Sequence, residues 1–221
     1  MEISNGTFMK IVLVIILSII IYLYIDVSYN EIVFVKSRIN GKRYLVRNIH
    51  DKQEAADLLS KISINLEKIV EYLKTTPIYE IKTKFKSKSK SNSNDNEIQT
   101  KLKDDIKRLI KNFNPENFTE SSAHSKYTSY SVNKGEKVVF CLRSKDSTAE
   151  LVKHNTMMFV AIHELGHLMT KSIDHTPEFW DNMKFLLRVA IHLKVYKHVN
   201  FNKNPEEYCG TEITDTPLKL E

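Results

Sequence analysis

The segment Val160-Ala161-Ile162-His163-Glu164-Leu165-Gly166-His167-Leu168-Met169, followed by His175-Thr176-Pro177-Glu178-Phe179-Trp180, decides how this chain is read. Residues four apart on an α-helix are separated by about 400°, so His163 and His167 share one face with Cβ atoms about 5–6 Å apart. Two imidazoles placed in this way reach one tetrahedral zinc ion at about 2.0–2.1 Å. Glu164 projects beside that face without taking a ligand position. It can accept a proton from a zinc-activated water and hand it to a leaving amine. A bare H-E-x-x-H pair also arises by chance on surface helices; the apolar flanks and the strand before it raise this one above that background.

A zinc site of this kind takes a third protein ligand and leaves the fourth position open. His175 is the candidate, eight residues beyond His167 and just ahead of a helix opened by Pro177, where a helix–turn–helix returns it to the metal. The competing reading of His175 is a cap-region or solvated loop histidine. Asp174, Glu178, His192 and Glu206 are reserves. His192 and His198 are expected on the following helix, in surface or core roles, and His50, His124 and His154 lack matching partners. Tyr208 and Tyr127 are candidates to stabilise an oxyanion, against the plainer reading of core or rim tyrosines.

Outward from this segment, two strands are expected over Tyr127–Val132 and Lys137–Leu142, joined by Asn133-Lys134-Gly135. The metal-bearing helix starts at Asn155 as N-cap and runs to Thr170, and Pro177 sits at the first turn of the next helix. That second helix buries Phe179 or Trp180, Met183, Leu186, Leu187, Ala190 and Leu193. The tail from Asn204 shows no periodicity. Nearer the amino end, Ile32–Val35 and Tyr44–Val46 flank Asn40-Gly41, the dipeptide favoured in two-residue type I′ hairpin turns. A helix follows with a capping-box-like start at Asp51 and Glu54, apolar at Ala55, Leu58, Leu59, Ile62, Leu66, Ile69 and Leu73, and closed by Thr76-Pro77. The polar run 86–97 reads as a linker, and a second amphipathic helix spans about Glu97 to Phe113.

With 221 residues, 42% hydrophobic and 27% charged, the chain suits one globular domain plus extensions or two small domains, and wholesale disorder is excluded. Five Gly and five Pro exclude collagen-like and Pro-rich architectures. Cys141 and Cys209 are too few for a disulfide scaffold; one pairing is possible, but two buried thiols are expected. The net charge is 33 − 27 = +6, and residues 82–111, with ten Lys/Arg against four Asp/Glu, hold all of it. The basic residues are 27 Lys and 6 Arg, and few aromatics lie in the run, which argues against stacked or bidentate nucleic-acid recognition. A solvated linker is the expectation, with an anionic membrane surface or nucleic acid as the alternatives. The Lys, Ile and Asn content fits an AT-rich genome, as in many large DNA viruses and some parasites.

Ile11–Ile25 is apolar but for Ser18, and Phe8 to Ile25 gives 18 residues, about 27 Å of helix, enough for one membrane span. The residues that follow lack a small-x-small cleavage pattern, so an uncleaved anchor is expected over a removed signal peptide. Lys10 before the span, and Asp26, Glu31, Lys36 and Arg38 after it, leave the orientation open.

The stretches V-A-I-H-E-L-G-H-L-M and H-T-P-E-F-W resemble the small zinc metallopeptidase group containing the WLM, SprT-like and YgjP-like domains. The resemblance covers roughly Tyr127 to Val199. It implies an α+β, zincin-like domain with a small antiparallel sheet, an active-site helix and a supporting helix. It also implies His163, His167 and His175 as Zn2+ ligands, Glu164 as general base, and Phe179 and Trp180 packed beneath the ligand loop. Two departures stand out: the spacing from His167 to His175 is two residues longer than in the WLM and YgjP patterns, and the usual Gly of the ligand loop is absent. The organisation expected is a single N-terminal transmembrane anchor (1–26), a hairpin plus amphipathic helix (27–81), a basic linker (82–97) and the metallopeptidase core (98–221). Such a protein would be a monomeric, membrane-anchored, zinc-dependent peptidase acting on protein or peptide substrates, with no nucleic-acid partner expected. The alternatives are a catalytically inactive membrane scaffold and a nucleic-acid-associated protease.

Overall fold

The computed structural model describes residues 5–85 and 95–218; most of the expected linker, 86–94, lies outside the described residues. Helix α1 (Asn5–Asn30) contains the 18-residue window Gly6–Leu23, whose mean hydropathy is 2.5 and of which none is buried against the rest of the protein. Its length and composition are those of a membrane span, and equally of a signal sequence.

Strands β1 (Ile32–Lys36) and β2 (Arg43–Arg47) pair antiparallel, Ile32 opposite Arg47 and Lys36 opposite Arg43. The hairpin is real, but its connection is not the two-residue turn that Asn40-Gly41 suggests. Ser37 Oγ and the Arg38 amide and side chain donate to the buried Asp57 carboxylate while the Ser37 amide still donates to the Lys42 carbonyl, so the connection spans 38–41, and only Gly41 within it has positive φ (+72). Helix α2 (Lys52–Thr75) carries the expected apolar stripe and packs on β1, β2 and the strand that follows. Asp51 forms no side-chain cap on α2; its carboxylate instead accepts from Arg143 at 2.6 Å.

A short helix that the sequence does not announce, α3 (Ile78–Phe85), continues beyond Pro77; the expected amphipathic helix, α4 (Asp95–Asn112), leads through a 3-10 turn into a strand that periodicity also misses, β3 (Phe118–Glu120). Strands β4 (Tyr130–Val132) and β5 (Lys137–Phe140) complete a five-stranded sheet of order β1-β2-β3-β5-β4. The sheet is mixed rather than antiparallel: β3 runs parallel to both β2 and β5, while the two hairpins are antiparallel. The reason is topological. A parallel neighbour needs a long crossover, and residues 48–117, with three helices, supply one between β2 and β3. The unforeseen β3 occupies the centre, and one hydrophobic core runs from Tyr44 and Val46 through α2 to Leu186, Leu187 and Leu218.

Arg143, 2% exposed, ties these layers together. Its Nε donates to Glu120 on β3 at 2.7 Å, and one terminal nitrogen donates to Asp51 at the start of α2. Because removing one partner of such a buried group leaves uncompensated charge, the network constrains how sheet and helix meet.

Helices α5 (His154–Met169) and α6 (Pro177–His192) pack against each other, and α5 is nearly enclosed by α2, α4 and α6. The N-cap of α5 is Lys153, not Asn155, whose amide both donates to and accepts from the Lys197 backbone. Thr176 and Pro177 open α6 as the sequence suggests, Thr176 Oγ1 accepting from the Phe179 amide. The tail contains a second hairpin, β6 (Glu206–Tyr208) with β7 (Thr211–Ile213).

Gly135 couples the β4–β5 turn to the far end of α4: φ is +113, and a Cβ there would stand 2.1 Å from the Asn112 carbonyl oxygen. Gly135→Ala is expected to lower stability by at least roughly 1–3 kcal/mol from backbone strain alone, with the steric clash adding to it. Gly41→Ala, where the nearest contact would be 3.7 Å away, should cost only about 1 kcal/mol. Urea unfolding midpoints of the two variants measure the difference.

Candidate metal centre

His163 and His167 lie on one face of α5, and the loop between α5 and α6 returns His175 to them. His167 Nε2 is 3.2 Å and His175 Nε2 is 3.0 Å from His163 Nε2. Ligand atoms of all three histidines lie within 4.8 Å of one another, the one such cluster among the described residues. Tetrahedral ligands at about 2.0–2.1 Å from a zinc ion stand roughly 3.3 Å apart, close to these separations. Burial first, and then the neighbouring rings, lowers the pKa of His163 to about 3 and that of His167 to about 4, so both offer neutral lone pairs at neutral pH.

Glu164 is 4% exposed, and its Oε2 has no hydrogen-bond partner. Burial pushes its carboxyl up to about 8. A buried carboxylate oxygen left unpaired costs free energy, and beside three convergent imidazoles its lone pairs suit a water and a dication. The donor set therefore fits zinc.

The ligand loop is held from both sides. Arg108 and Asn112 of α4 donate to the Met169 and Leu168 carbonyls at the end of α5. Lys134 Nζ donates to the carbonyls of Thr170, Lys171 and Ser172, and Glu178 accepts from the Ser172 amide and hydroxyl. Where a Gly was missing, Asp174 itself takes the left-handed conformation (φ +66) that swings His175 inward. Phe179 stacks on His167 with centroids 4.3 Å apart, and Trp180 stacks on His175 at 5.5 Å, so both aromatics support the cluster. Gly166 permits this approach, since a Cβ there would meet the Phe179 ring at 3.1 Å.

None of the reserves joins the cluster of the three histidines. Asp174 is exposed, and Glu178 braces the loop. Glu206 accepts from Thr156 and pairs with Lys153. His192 meets Lys84 Nζ at 2.7 Å and packs against Tyr72 and Phe85. Tyr127 is 69% exposed and packs on Tyr130, away from the cluster. Tyr208 is buried, makes a 2.5 Å hydrogen bond with Ser129 Oγ, and lies close enough to Glu164 for that carboxylate to raise its pKa, after burial.

Cys141 and Cys209 form a disulfide, not two thiols. Cys209 and Gly210 both have positive φ in the β6–β7 turn, which brings Cys209 beside the end of β5, a contact that a separation of 68 residues hides in the sequence. The bridge fastens the hairpin carrying Tyr208. The double variant Cys141→Ser/Cys209→Ser should lose about 2–5 kcal/mol of stability. Denaturation of the unaltered protein with and without reductant checks this, since the reduced protein should match the variant.

An α+β domain with a mixed sheet and an H-E-x-x-H helix joined by a third histidine defines the class. The WLM domain matches residues 76–219, well over half of the chain, and the chain belongs to this family. It is 32% identical over 216 residues to an uncharacterized protein of Acanthamoeba polyphaga mimivirus, covering 98% of this chain and 100% of that protein. It is also 32% identical over 83 residues to an uncharacterized protein of Invertebrate iridescent virus 6, covering 37% of this chain and 44% of that relative. Both relatives are viral. Among solved structures, Wss1 from Saccharomyces cerevisiae aligns with a TM-score of 0.34 and 18% identity over 48% of this chain and 86% of Wss1.

Proposed function

We propose that this protein is a membrane-anchored, zinc-dependent peptidase. The observation that carries the reading is the convergence of His163, His167 and His175 beside the unpaired, buried Oε2 of Glu164. His163, His167 and His175 would hold the ion. Zinc, when bound, acts as a Lewis acid on a peptide carbonyl and lowers the pKa of water. Beside a bound dication the Glu164 carboxyl would be held ionised despite its burial, and it would accept a proton from water and return it to the departing amine. The apolar residues of α5, with Phe179, back the cluster on its protein side and strengthen the electrostatics there, while the exposed His175 leaves the other side open. Membership in the WLM family supports the hydrolase class.

Helix α1 supports anchoring, with none of its apolar window covered by protein. The Cys141–Cys209 bridge supports a peptidase domain on the oxidising side of the membrane, with Lys10 on the opposite side.

The test is metal analysis and casein digestion by the full chain in detergent. About one zinc per chain, with cleavage abolished by a chelator and restored by zinc, is the expected result. Chelator-resistant cleavage overturns the metal reading; zinc without cleavage favours the inactive scaffold.

A further inference from the structure

An open pocket of about 510 Å³ adjoins the histidine cluster, with His163 itself as part of its wall. Phe159 comes from the same helix one turn earlier, Pro177, Trp180 and Met183 from α6, and Pro217 from the C-terminal segment. Its volume is within the range of small-ligand sites, which are typically about 300–1,000 Å³. The outer wall is preformed: Thr216 is buried, and Leu218, 2% exposed, anchors the segment, its amide donating to Thr216 Oγ1. Asp181, Lys184 and Asp215 stand around the pocket, giving it a net charge of −1.

We propose that this pocket is a substrate side-chain subsite that takes a large apolar residue (Leu, Met or Phe) flanking the bond to be cleaved, and that it disfavours Asp and Glu. The proposal rests on the peptidase reading and deepens it. Three observations carry it. The pocket shares His163 with the metal centre, so a side chain seated in it puts its own backbone beside the cluster. The walls are aromatic and aliphatic, and an enclosed Leu or Phe gains the hydrophobic transfer free energy that an Ala cannot. The acidic surplus repels a carboxylate, while nothing there pairs with one except Lys184, which already lies 3.7 Å from Asp181.

The test has two readouts on the full chain in phosphatidylcholine vesicles. In the first, zinc-loaded protein digests denatured casein, and the new termini are mapped by mass spectrometry. Leu, Met and Phe should exceed Asp and Glu at one flanking position by at least about tenfold, the size of effect a hydrophobic pocket supplies. Pro217→Phe, which fills the pocket from the non-helical wall, should shift that position toward Ala and Val. Lys184→Glu, which takes the charge from −1 to −3, should admit Lys and Arg. Cleavage without any such preference, or a preference unmoved by both variants, overturns the subsite and leaves the peptidase reading intact.

The second readout needs no turnover. Trp180 is the sole tryptophan, so its emission reports occupancy of the pocket in Glu164→Gln protein. A hexapeptide with a central Leu should shift the emission saturably and bind at least about tenfold tighter than its Ala or Asp counterparts. Pro217→Phe should abolish that difference. If no cleavage occurs with zinc bound, the peptidase reading fails, and this titration still decides the pocket: equal affinity for all three peptides overturns it.

Discussion

Glu164→Gln is expected to bind zinc at the same stoichiometry as the unaltered protein and to lose about 10²–10⁴-fold in peptide hydrolysis, equivalent to roughly 3–5 kcal/mol of transition-state stabilisation. The substitution is nearly isosteric, so α5 keeps its packing and the three imidazoles keep their separations. It removes the buried carboxyl on the metal-bearing helix that is proposed to accept the proton. Stability should change little, because burial already holds the Glu164 carboxyl up at about 8, so near pH 7 the zinc-free protein exchanges one nearly neutral buried group for another of the same size. Zinc content by elemental analysis, thermal midpoint and casein turnover are measured on the same preparation. Full turnover in Glu164→Gln rejects this residue as the base, and loss of zinc shifts its role to holding the site together.

The second large effect concerns the third ligand. His175→Ala should lower zinc affinity by more than about 100-fold, since losses of supporting groups around a metal already cost about 10–100-fold. His175 is exposed and lies on a loop, so its removal should leave the thermal midpoint of the zinc-free protein nearly unchanged. His192→Ala is the matched control. That ring belongs to a separate cluster with Tyr72, Phe85 and Lys84, so zinc affinity should stay at the unaltered value. Competition with a chromophoric chelator gives both affinities. The opposite pattern would move the third ligand to the end of α6.

Much of the centre was legible because its signals are local. The four-residue spacing of His163 and His167 places them on one helical face whatever surrounds them, and Thr176-Pro177 opens a helix by its own capping chemistry. Errors arose where a local signal met a distant competitor. Asn40-Gly41 has the residues of a tight turn, but Asp57 holds Ser37 Oγ and the Arg38 amide, and the chain closes as a longer loop on the Ser37–Lys42 backbone bond. Asp51 and Asn155 look like helix caps, but Arg143 and Lys197 take their side chains. Strand β3 is only three residues long, too short for periodicity to register, and it is defined by its neighbours β2 and β5.

The apolar span near the amino terminus, the helical face bearing two histidines and an adjacent glutamate, and the start of the supporting helix follow from sequence alone, because each depends on contacts within a few residues. The parallel placement of β3, the inward turn of His175 at Asp174, the joining of Cys141 to Cys209 and the unpaired burial of Glu164 belong to the tertiary structure. Each is set by which distant surfaces come to lie against one another, and no local stretch of the chain encodes that.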